Sequence, residues 1–278
     1  MTKETDCWAW QAKVDAEPDP SEREKIYQAG LEDFPASVEL TYNFARFMKQ
    51  TRKDQDAAER LYRQALKLAP EDTDTLGNLA LLLENFPEHH DEAEQLYRRA
   101  VELDPNSANR TGNFAVFLGT IRHDQAAAEQ LFRLALELDP EHENNTANFA
   151  NFLAATGKDD DEAQWLYRRA YELAPNDALN LGNFANFMWG NRKNYDGAER
   201  LYRESLQLDP DHAGHTANFA EFMEKIRWDL PEAHRLYRRA LELAPDDEYV
   251  QKEYARFIED HAEFGGEPRT PGAAMGRG

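Results

Sequence analysis

The sequence repeats itself every 35 residues, and this period constrains the fold more than any other feature of the chain. The triplet Asn43, Phe44 and Ala45 returns with little change once per period, and a proline keeps the same spacing from Pro35 to Pro245. A fixed period of this length is typical of one supersecondary unit stacked on copies of itself. Because such stacks present long surfaces, the period favours a binding function over a catalytic pocket.

Each period contains two segments with the apolar spacing of a helix. In residues 36–70, the first segment carries core-type residues at i, i+3, i+4 and i+7, namely Thr41, Phe44, Ala45 and Met48. The second segment repeats this stripe from Ala58 to Leu68, and Pro70 ends it because proline cannot donate a helical hydrogen bond. Two helices joined by a short polar loop form a hairpin. The pattern predicts an all-α fold, an α-solenoid of stacked antiparallel helix pairs.

The second segment of every unit also carries small and aromatic residues at fixed points. An alanine stands at Ala58, Ala93, Ala128, Ala163, Ala198 and Ala233, and an aromatic residue follows it at Tyr62, Tyr97, Phe132, Tyr167, Tyr202 and Tyr237. Over about residues 36–262 this pattern resembles the tetratricopeptide repeat (TPR) family. The resemblance implies a right-handed superhelix whose first helices line a concave groove. The period exceeds the usual ~34 residues of that family, and we expect the extra residue in the loop between the two helices.

The ends of the chain depart from the pattern, as the ends of stacked repeats do. We expect residues 1–35 to form a degenerate N-terminal capping repeat and residues 36–245 to form six repeats. Residues 246–264 are predicted to be a C-terminal capping helix. Residues 265–278, rich in Gly, Pro, Ala and Arg, are predicted to be a disordered tail.

Charge and cysteine content exclude several classes of function. A net charge of -21 disfavours nucleic-acid binding, which requires Lys and Arg against phosphates, and also disfavours an anionic membrane surface. No apolar run approaches the roughly 18 residues of a membrane span, and the residues after Met1 lack the apolar core of a signal peptide. Cys7 is the single cysteine, which favours a reducing compartment. We therefore expect an acidic cytoplasmic protein.

The repeated asparagine is the strongest candidate for function. On a helix it lies about 150° from the centre of the core stripe, and there it is less favourable than alanine by roughly half a kcal/mol. An amide offers one acceptor and two donors, which match the C=O and N–H of an extended peptide. The predicted peptide-binding groove consists of this asparagine ladder and the residues three positions after it: Asn43, Arg46, Asn78, Leu81, Asn113, Val116, Asn148, Asn151, Asn183, Asn186, Asn218 and Glu221.

The TPR resemblance supports a peptide-binding ladder, because repeat arrays such as that of O-linked N-acetylglucosamine transferase carry a similar row of asparagines. The alternative is that each asparagine bonds the neighbouring repeat and sets the stacking. A chaperone-tail clamp is not expected, since its lysine would stand one residue before the ladder, where the chain has Tyr42, Gly77, Gly112, Ala147, Gly182 and Ala217.

Other candidate chemistry is weak. His89 and His90, and His212 and His215, lack further ligands that converge on a metal, and we expect these histidines in solvent. No nucleophile–base pair, phosphate loop or dinucleotide motif occurs. We therefore expect neither enzyme activity nor a metal or cofactor.

The sequence thus favours a non-catalytic protein–protein interaction scaffold that binds an extended polypeptide. Two alternatives share the fold: an RNA-processing scaffold of the half-a-TPR type, and the targeting subunit of an enzyme complex. The acidity of the chain counts against the first. The sequence does not determine the oligomeric state.

Overall fold

The protein is seen in a computed structural model that describes residues 4–264. The predicted tail, residues 265–278, lies outside the described residues. Within residues 4–264 the chain forms fifteen α-helices and no strand. The helices are α1 (Glu4–Ala16), α2 (Pro20–Asp33), α3 (Val38–Phe47), α4 (Gln55–Leu68), α5 (Thr73–Leu83), α6 (His90–Leu103), α7 (Ala108–Thr120), α8 (Gln125–Leu138), α9 (Glu143–Thr156), α10 (Asp160–Leu173), α11 (Ala178–Gly190), α12 (Tyr195–Leu208), α13 (Ala213–Phe222), α14 (Leu230–Leu243) and α15 (Glu248–Asp260).

The helices group into two compact units, of which the first ends at Asn148 and the second begins at Phe149, inside α9. In the first unit α3 packs on α4, α5 on α6 and α7 on α8. In the second unit α11 packs on α12, α13 on α14, and α15 on α14. Each unit is a stack of helical hairpins, so the predicted all-α class is confirmed.

An aromatic stack joins successive hairpins. In four places a second-helix tyrosine lies against the phenylalanine of the Asn-Phe-Ala triplet in the next hairpin, as in Tyr27 on Phe44, with ring centroids 5.0 Å apart. In the second unit, Tyr202 lies 5.2 Å from Phe219 and 5.8 Å from Phe222. Offset ring pairs of this kind contribute about 0.5–1.5 kcal/mol beyond the burial of area. The period of the sequence is therefore the period of this contact.

The core of the first helix is wider than the predicted stripe. Thr41, Phe44, Ala45 and Met48 are buried as expected, and Leu40 and Phe47 are buried with them. The predicted stripe omits Phe47 because i, i+3, i+4, i+7 spacing marks only the side of a helix that faces a single neighbouring helix. The first helix packs against its own partner helix and also against the preceding hairpin, as the contact of Tyr27 with Phe47 shows.

The loop within the hairpin closes through a residue in the left-handed conformation. Lys53, His123, Lys193 and Trp228 have φ between 54° and 58°, although none is a glycine. The N–H of the following residue donates to a carbonyl six residues earlier, as Asn194 does to Met188 at 2.8 Å. This wide turn occupies the loop in which we expect the extra residue of the 35-residue period.

A buried histidine corrects one expectation from the sequence. His215 is only 2% exposed and stacks on His212, with ring centroids 3.8 Å apart. The Ser205 hydroxyl donates to the Ala178 carbonyl at 2.7 Å and lies 3.2 Å from His215 Nδ1. Because a hydroxyl has one proton, the ring donates from Nδ1. The expectation that His215 lies in solvent is wrong, since these partners come from neighbouring hairpins and not from adjacent sequence.

A glycine makes room for this histidine. A Cβ added at Gly182 would lie 2.1 Å from the His215 ring, too close for any side chain. In the first unit, Asn145 stands at the position equivalent to His215, and its Nδ2 donates directly to the Ala108 carbonyl at 2.9 Å. Gly112 makes room for the Asn145 side chain there. The histidine and serine of the second unit thus replace a single asparagine of the first.

The left-handed residues predict a pair of opposite stability effects. Replacing exposed His123 with glycine should raise the free energy of unfolding by roughly 0.5–1 kcal/mol, because the left-handed strain of about 1–2 kcal/mol exceeds the extra chain entropy of glycine. The matched control is Gln130→Gly at an exposed helical position, which should cost about 1 kcal/mol. Urea denaturation measures both, and a loss of stability in both variants would contradict the strain argument.

Burial of His215 predicts a dependence of stability on pH. Burial lowers the pKa of His215 to about 4, below the value of about 6.5 in the unfolded chain. Its contribution is therefore complete above pH 6.5, declines between about pH 6.5 and 4, and can amount to roughly 3 kcal/mol.

The His215→Asn variant places at this position the residue that the first unit has at Asn145. It is the matched control because it lacks the buried imidazole and keeps every other ionisable group. Thermal melts from pH 7 to pH 4 should show a steeper loss of stability in the native protein than in this variant. Parallel curves would mean that His215 accepts its proton without disturbing the fold.

Candidate functional site

All six residues of the asparagine ladder are half-buried. Three of them donate from Nδ2 to a side chain of the preceding hairpin. Asn43 binds Gln11 Oε1 at 3.0 Å, Asn78 binds the Tyr42 hydroxyl at 3.0 Å, and Asn218 binds Asn186 Oδ1 at 3.2 Å. These three asparagines fit the alternative in which the amides help hairpins to stack.

The other three asparagines differ. Within residues 4–264, the side chains of Asn113, Asn148 and Asn183 make no hydrogen bond to another protein group, although each is half-buried. A half-buried amide has already lost part of its hydration, so an unused donor and acceptor there are available to a ligand at low desolvation cost.

Tyrosines from the second helix orient the flanking amides. The Tyr167 hydroxyl donates to Asn151 Oδ1 at 2.7 Å, and the Tyr202 hydroxyl donates to Asn186 Oδ1 at 2.6 Å. Burial raises the pKa of both tyrosines, so each hydroxyl keeps the proton that it donates. The carbonyl ends of Asn151 and Asn186 therefore face the tyrosines.

The same tyrosine position finds other partners along the chain. Tyr97 donates to Glu84 at 2.7 Å and Tyr237 to Glu224 at 3.1 Å. In the third repeat the position is Phe132, which has no hydroxyl, and the flanking residue there is the apolar Val116. Tyr62 is the exception, since its hydroxyl is buried without a partner.

The outer positions of the predicted site are charged or apolar. Arg46 is exposed, with its guanidinium 5.7 Å from the Tyr42 ring centroid, and Leu81 is half-buried. Glu221 forms an ion pair with Lys225 and accepts a hydrogen bond from the Tyr249 hydroxyl at 3.3 Å. Hence Glu221 is already engaged by protein groups, whereas the side chains of Asn113, Asn148 and Asn183 are not hydrogen-bonded within residues 4–264.

Two open recesses in the second unit bring predicted and unpredicted residues together. The smaller, of about 250 Å³, is lined by Asn151, Ala154, Ala155, Tyr167, Asn183, Asn186, Phe187 and Asn191. The larger, of about 420 Å³, is lined by Asn186, Trp189, Gly190, Lys193 and Asn218. Asn186 belongs to both recesses. Trp189 and Lys193 are not among the residues predicted from the sequence, although Trp189 follows Asn186 by three residues and so shares its side of the helix.

Two further features of the described residues bear on function. No group of histidine, cysteine and acidic side chains in this part of the chain could hold a metal ion. None of the helices described is both long and apolar enough to cross a membrane.

Two tyrosine-to-phenylalanine changes test the role of the hydroxyls. Tyr202→Phe should lower the free energy of unfolding by about 1 kcal/mol, because it removes a buried hydrogen bond. Tyr62→Phe should leave it unchanged or raise it by about 1 kcal/mol, because it removes a buried hydroxyl that has no partner. Chemical denaturation of the two variants side by side checks this, and equal losses in both would show that ring packing alone decides the outcome.

One repeat of the chain matches a known family of repeats. Residues 74–107 match the family model described as tetratricopeptide repeat. Among curated protein sequences, no relative matches the chain.

Solved structures resemble the chain at low sequence identity. A tetratricopeptide repeat protein from Parabacteroides merdae is 15% identical with a TM-score of 0.72, covering 91% of this chain and 96% of its own. Yeast Tom70 is 17% identical with a TM-score of 0.63, covering 88% of this chain and 52% of its own. A chain of the APC/C hetero-tetramer Cut9–Hcn1 is 14% identical with a TM-score of 0.73, covering 86% of this chain and 46% of its own.

The present chain thus spans about half the length of the Tom70 and Cut9–Hcn1 chains. At these identities the likeness concerns the fold. The matched repeat at 74–107 recurs with the same 35-residue spacing on both sides, and each copy folds as a helical hairpin. Residues 74–107 thus match a tetratricopeptide repeat, and the fold of the described residues resembles that of solved tetratricopeptide repeat structures.

Proposed function

We propose that this chain is a non-catalytic protein–protein interaction scaffold that binds an extended polypeptide along the asparagine-lined face of its first helices. The observation that carries the proposal is the division of the asparagine ladder. Three of its amides bind the preceding hairpin, and three, Asn113, Asn148 and Asn183, are half-buried without a hydrogen bond in the described part of the chain.

Stacking alone does not explain the three unbonded asparagines. Alanine at those positions would favour the helix by roughly half a kcal/mol each, and no hydrogen bond within residues 4–264 offsets that difference. A peptide backbone offers one acceptor and one donor per residue, and these match the unused groups of an amide. A ligand of this kind would supply the missing hydrogen bonds.

Charge favours a polypeptide partner over a nucleic acid. The net charge of -21 opposes contact with phosphates, so the half-a-TPR alternative has no observation in its favour. The Cut9–Hcn1 structure, whose fold is similar, is a hetero-tetramer of proteins. We propose that this chain likewise binds a protein partner. With a single cysteine, a reducing compartment such as the cytoplasm suits this role.

A comparison of two triple variants tests the proposal. Asn113, Asn148 and Asn183 are changed to alanine in one variant, and Asn43, Asn78 and Asn218 in the other. Random peptides displayed on phage are first selected on the native protein, and their affinities for both variants are then measured by calorimetry.

The first variant should keep its stability and lose about 0.5–1.5 kcal/mol of binding free energy for each neutral hydrogen bond removed. The second should melt at lower temperature, because it removes hydrogen bonds between hairpins. If the first variant binds the selected peptides with native affinity, the asparagines do not hold the peptide and the proposal fails.

A further inference from the structure

We infer that the two recesses of the second unit select a peptide that carries an acidic side chain next to a bulky apolar one. This inference rests on the proposed function and specifies the ligand of the same surface. It follows from the fixed orientation of two amides, from the charges around them, and from the space over one glycine.

A tyrosine hydroxyl already occupies the carbonyl end of each of the two amides. The Tyr202 hydroxyl is buried and its acceptor is Asn186 Oδ1, which also accepts from Asn218 Nδ2 at 3.2 Å. Both N–H groups of Asn186 therefore remain for a ligand. Asn151 is held in the same way by Tyr167, so its Nδ2 also points away from the tyrosine. In both residues the tyrosine occupies the amide oxygen, so that the amide presents its N–H donors to a ligand.

The walls of the two recesses carry more free hydrogen-bond donors than free acceptors. Lys193 lines the larger recess and donates one N–H to the Gly190 carbonyl at 2.5 Å, which leaves two further donors on its ammonium group. On the acceptor side, Asn191 Oδ1 is open while its Nδ2 binds the Ala154 carbonyl and Asp160. Fixed donors outnumber fixed acceptors, whereas a peptide backbone offers the two in equal number. The excess fits a ligand with additional acceptors, and a carboxylate is the acceptor-only side chain.

The charges around the recesses favour a single carboxylate. The protein carries a net charge of -21, yet neither recess is lined by an aspartate or glutamate. Lys193 is the one basic side chain on their walls, and it lines the larger recess. A single carboxylate is therefore matched here, while a run of acidic residues would be repelled by the rest of the surface. We place the carboxylate at Asn186, which lines both recesses, against its Nδ2 group and on the side of the Lys193 ammonium.

The larger recess has room for a bulky apolar side chain. A Cβ added at Gly190 would meet no atom within 4 Å, so this wall is open. Trp189 stands beside it, held edge-on to Phe222 with ring centroids 5.8 Å apart. A volume of about 420 Å³ admits a phenylalanine, leucine or tryptophan side chain. Since Asn186 lines both recesses, one peptide can present the apolar side chain and the carboxylate together.

The experiment begins with random peptides selected by phage display on the full chain. Selected sequences are synthesised with amidated C-termini, which removes the terminal carboxylate as a source of binding. Each acidic peptide is paired with a version in which Asp is changed to Asn or Glu to Gln. We expect this change to weaken the Kd by about tenfold, because a charge-assisted hydrogen bond is replaced by a neutral one.

Asn186→Asp is the diagnostic variant. It preserves an acceptor for Tyr202, as Glu224 does for Tyr237, so the fold is retained. It removes the donors and adds a negative charge, so acidic peptides should lose at least about tenfold in affinity while their amide versions lose far less. Gly190→Phe should abolish binding of the apolar side chain by filling the larger recess, and Gly190→Ala is its matched control.

Three outcomes overturn the inference, and they differ in what they mean for the proposed function. In the first, the selected peptides lack acidic residues and still lose affinity for the variant in which Asn113, Asn148 and Asn183 are alanine. That result would refute the acidic specificity and leave the proposed peptide binding intact. A selection that enriches no peptide over an unselected control would refute both. Acidic peptides that bind Asn186→Asp and Gly190→Phe with native affinity would show that they bind at a different surface.

Discussion

The fold depends on one recurring contact, in which a second-helix tyrosine packs against two phenylalanines of the following hairpin, as Tyr27, Tyr97, Tyr167 and Tyr202 do. Tyr167 stacks on Phe184 with centroids 5.1 Å apart and touches Phe187 at the same distance. Neither helix of a hairpin can bury its apolar face alone, so the stack must be repeated for any copy to be stable. Because this contact joins residues of neighbouring repeats, one period in the sequence sets one spacing in the structure.

The same tyrosine links the core to the candidate site. Its ring lies in the aromatic stack, and its hydroxyl reaches the amide or carboxylate beside the asparagine ladder. A change in packing between hairpins therefore alters the orientation of Asn151 or Asn186. The surface offered to a ligand is positioned by the contacts that hold the repeats together, and a residue such as Tyr202 contributes to both.

The helices and their pairing are predictable from sequence, because the 35-residue period and the helical spacing are both visible there. What escapes prediction depends on neighbouring repeats. The burial of His215 depends on Ser205 and Gly182 from other helices, and the only sign of it in sequence is a serine where other repeats have alanine. The direction of an amide is likewise hidden, although the co-occurrence of Tyr202 with Asn186, and of Phe132 with Val116, hints at it.

The acidic charge of the chain is organised so that it leaves the amide recesses neutral. In the second unit, Arg227 joins Asp196 at 2.6 Å and Glu199 at 2.7 Å, and Arg192 joins Asp161 at 2.8 Å, each across successive hairpins. Partly exposed ion pairs of this kind add little stability. They do fix carboxylates near the starts of second helices, on loops and ends that do not line either recess. One acid, Asp160, does lie next to a lining residue through its hydrogen bond with Asn191, so the potential favours a ligand carboxylate at Asn186 and Lys193 and not beside Asn191.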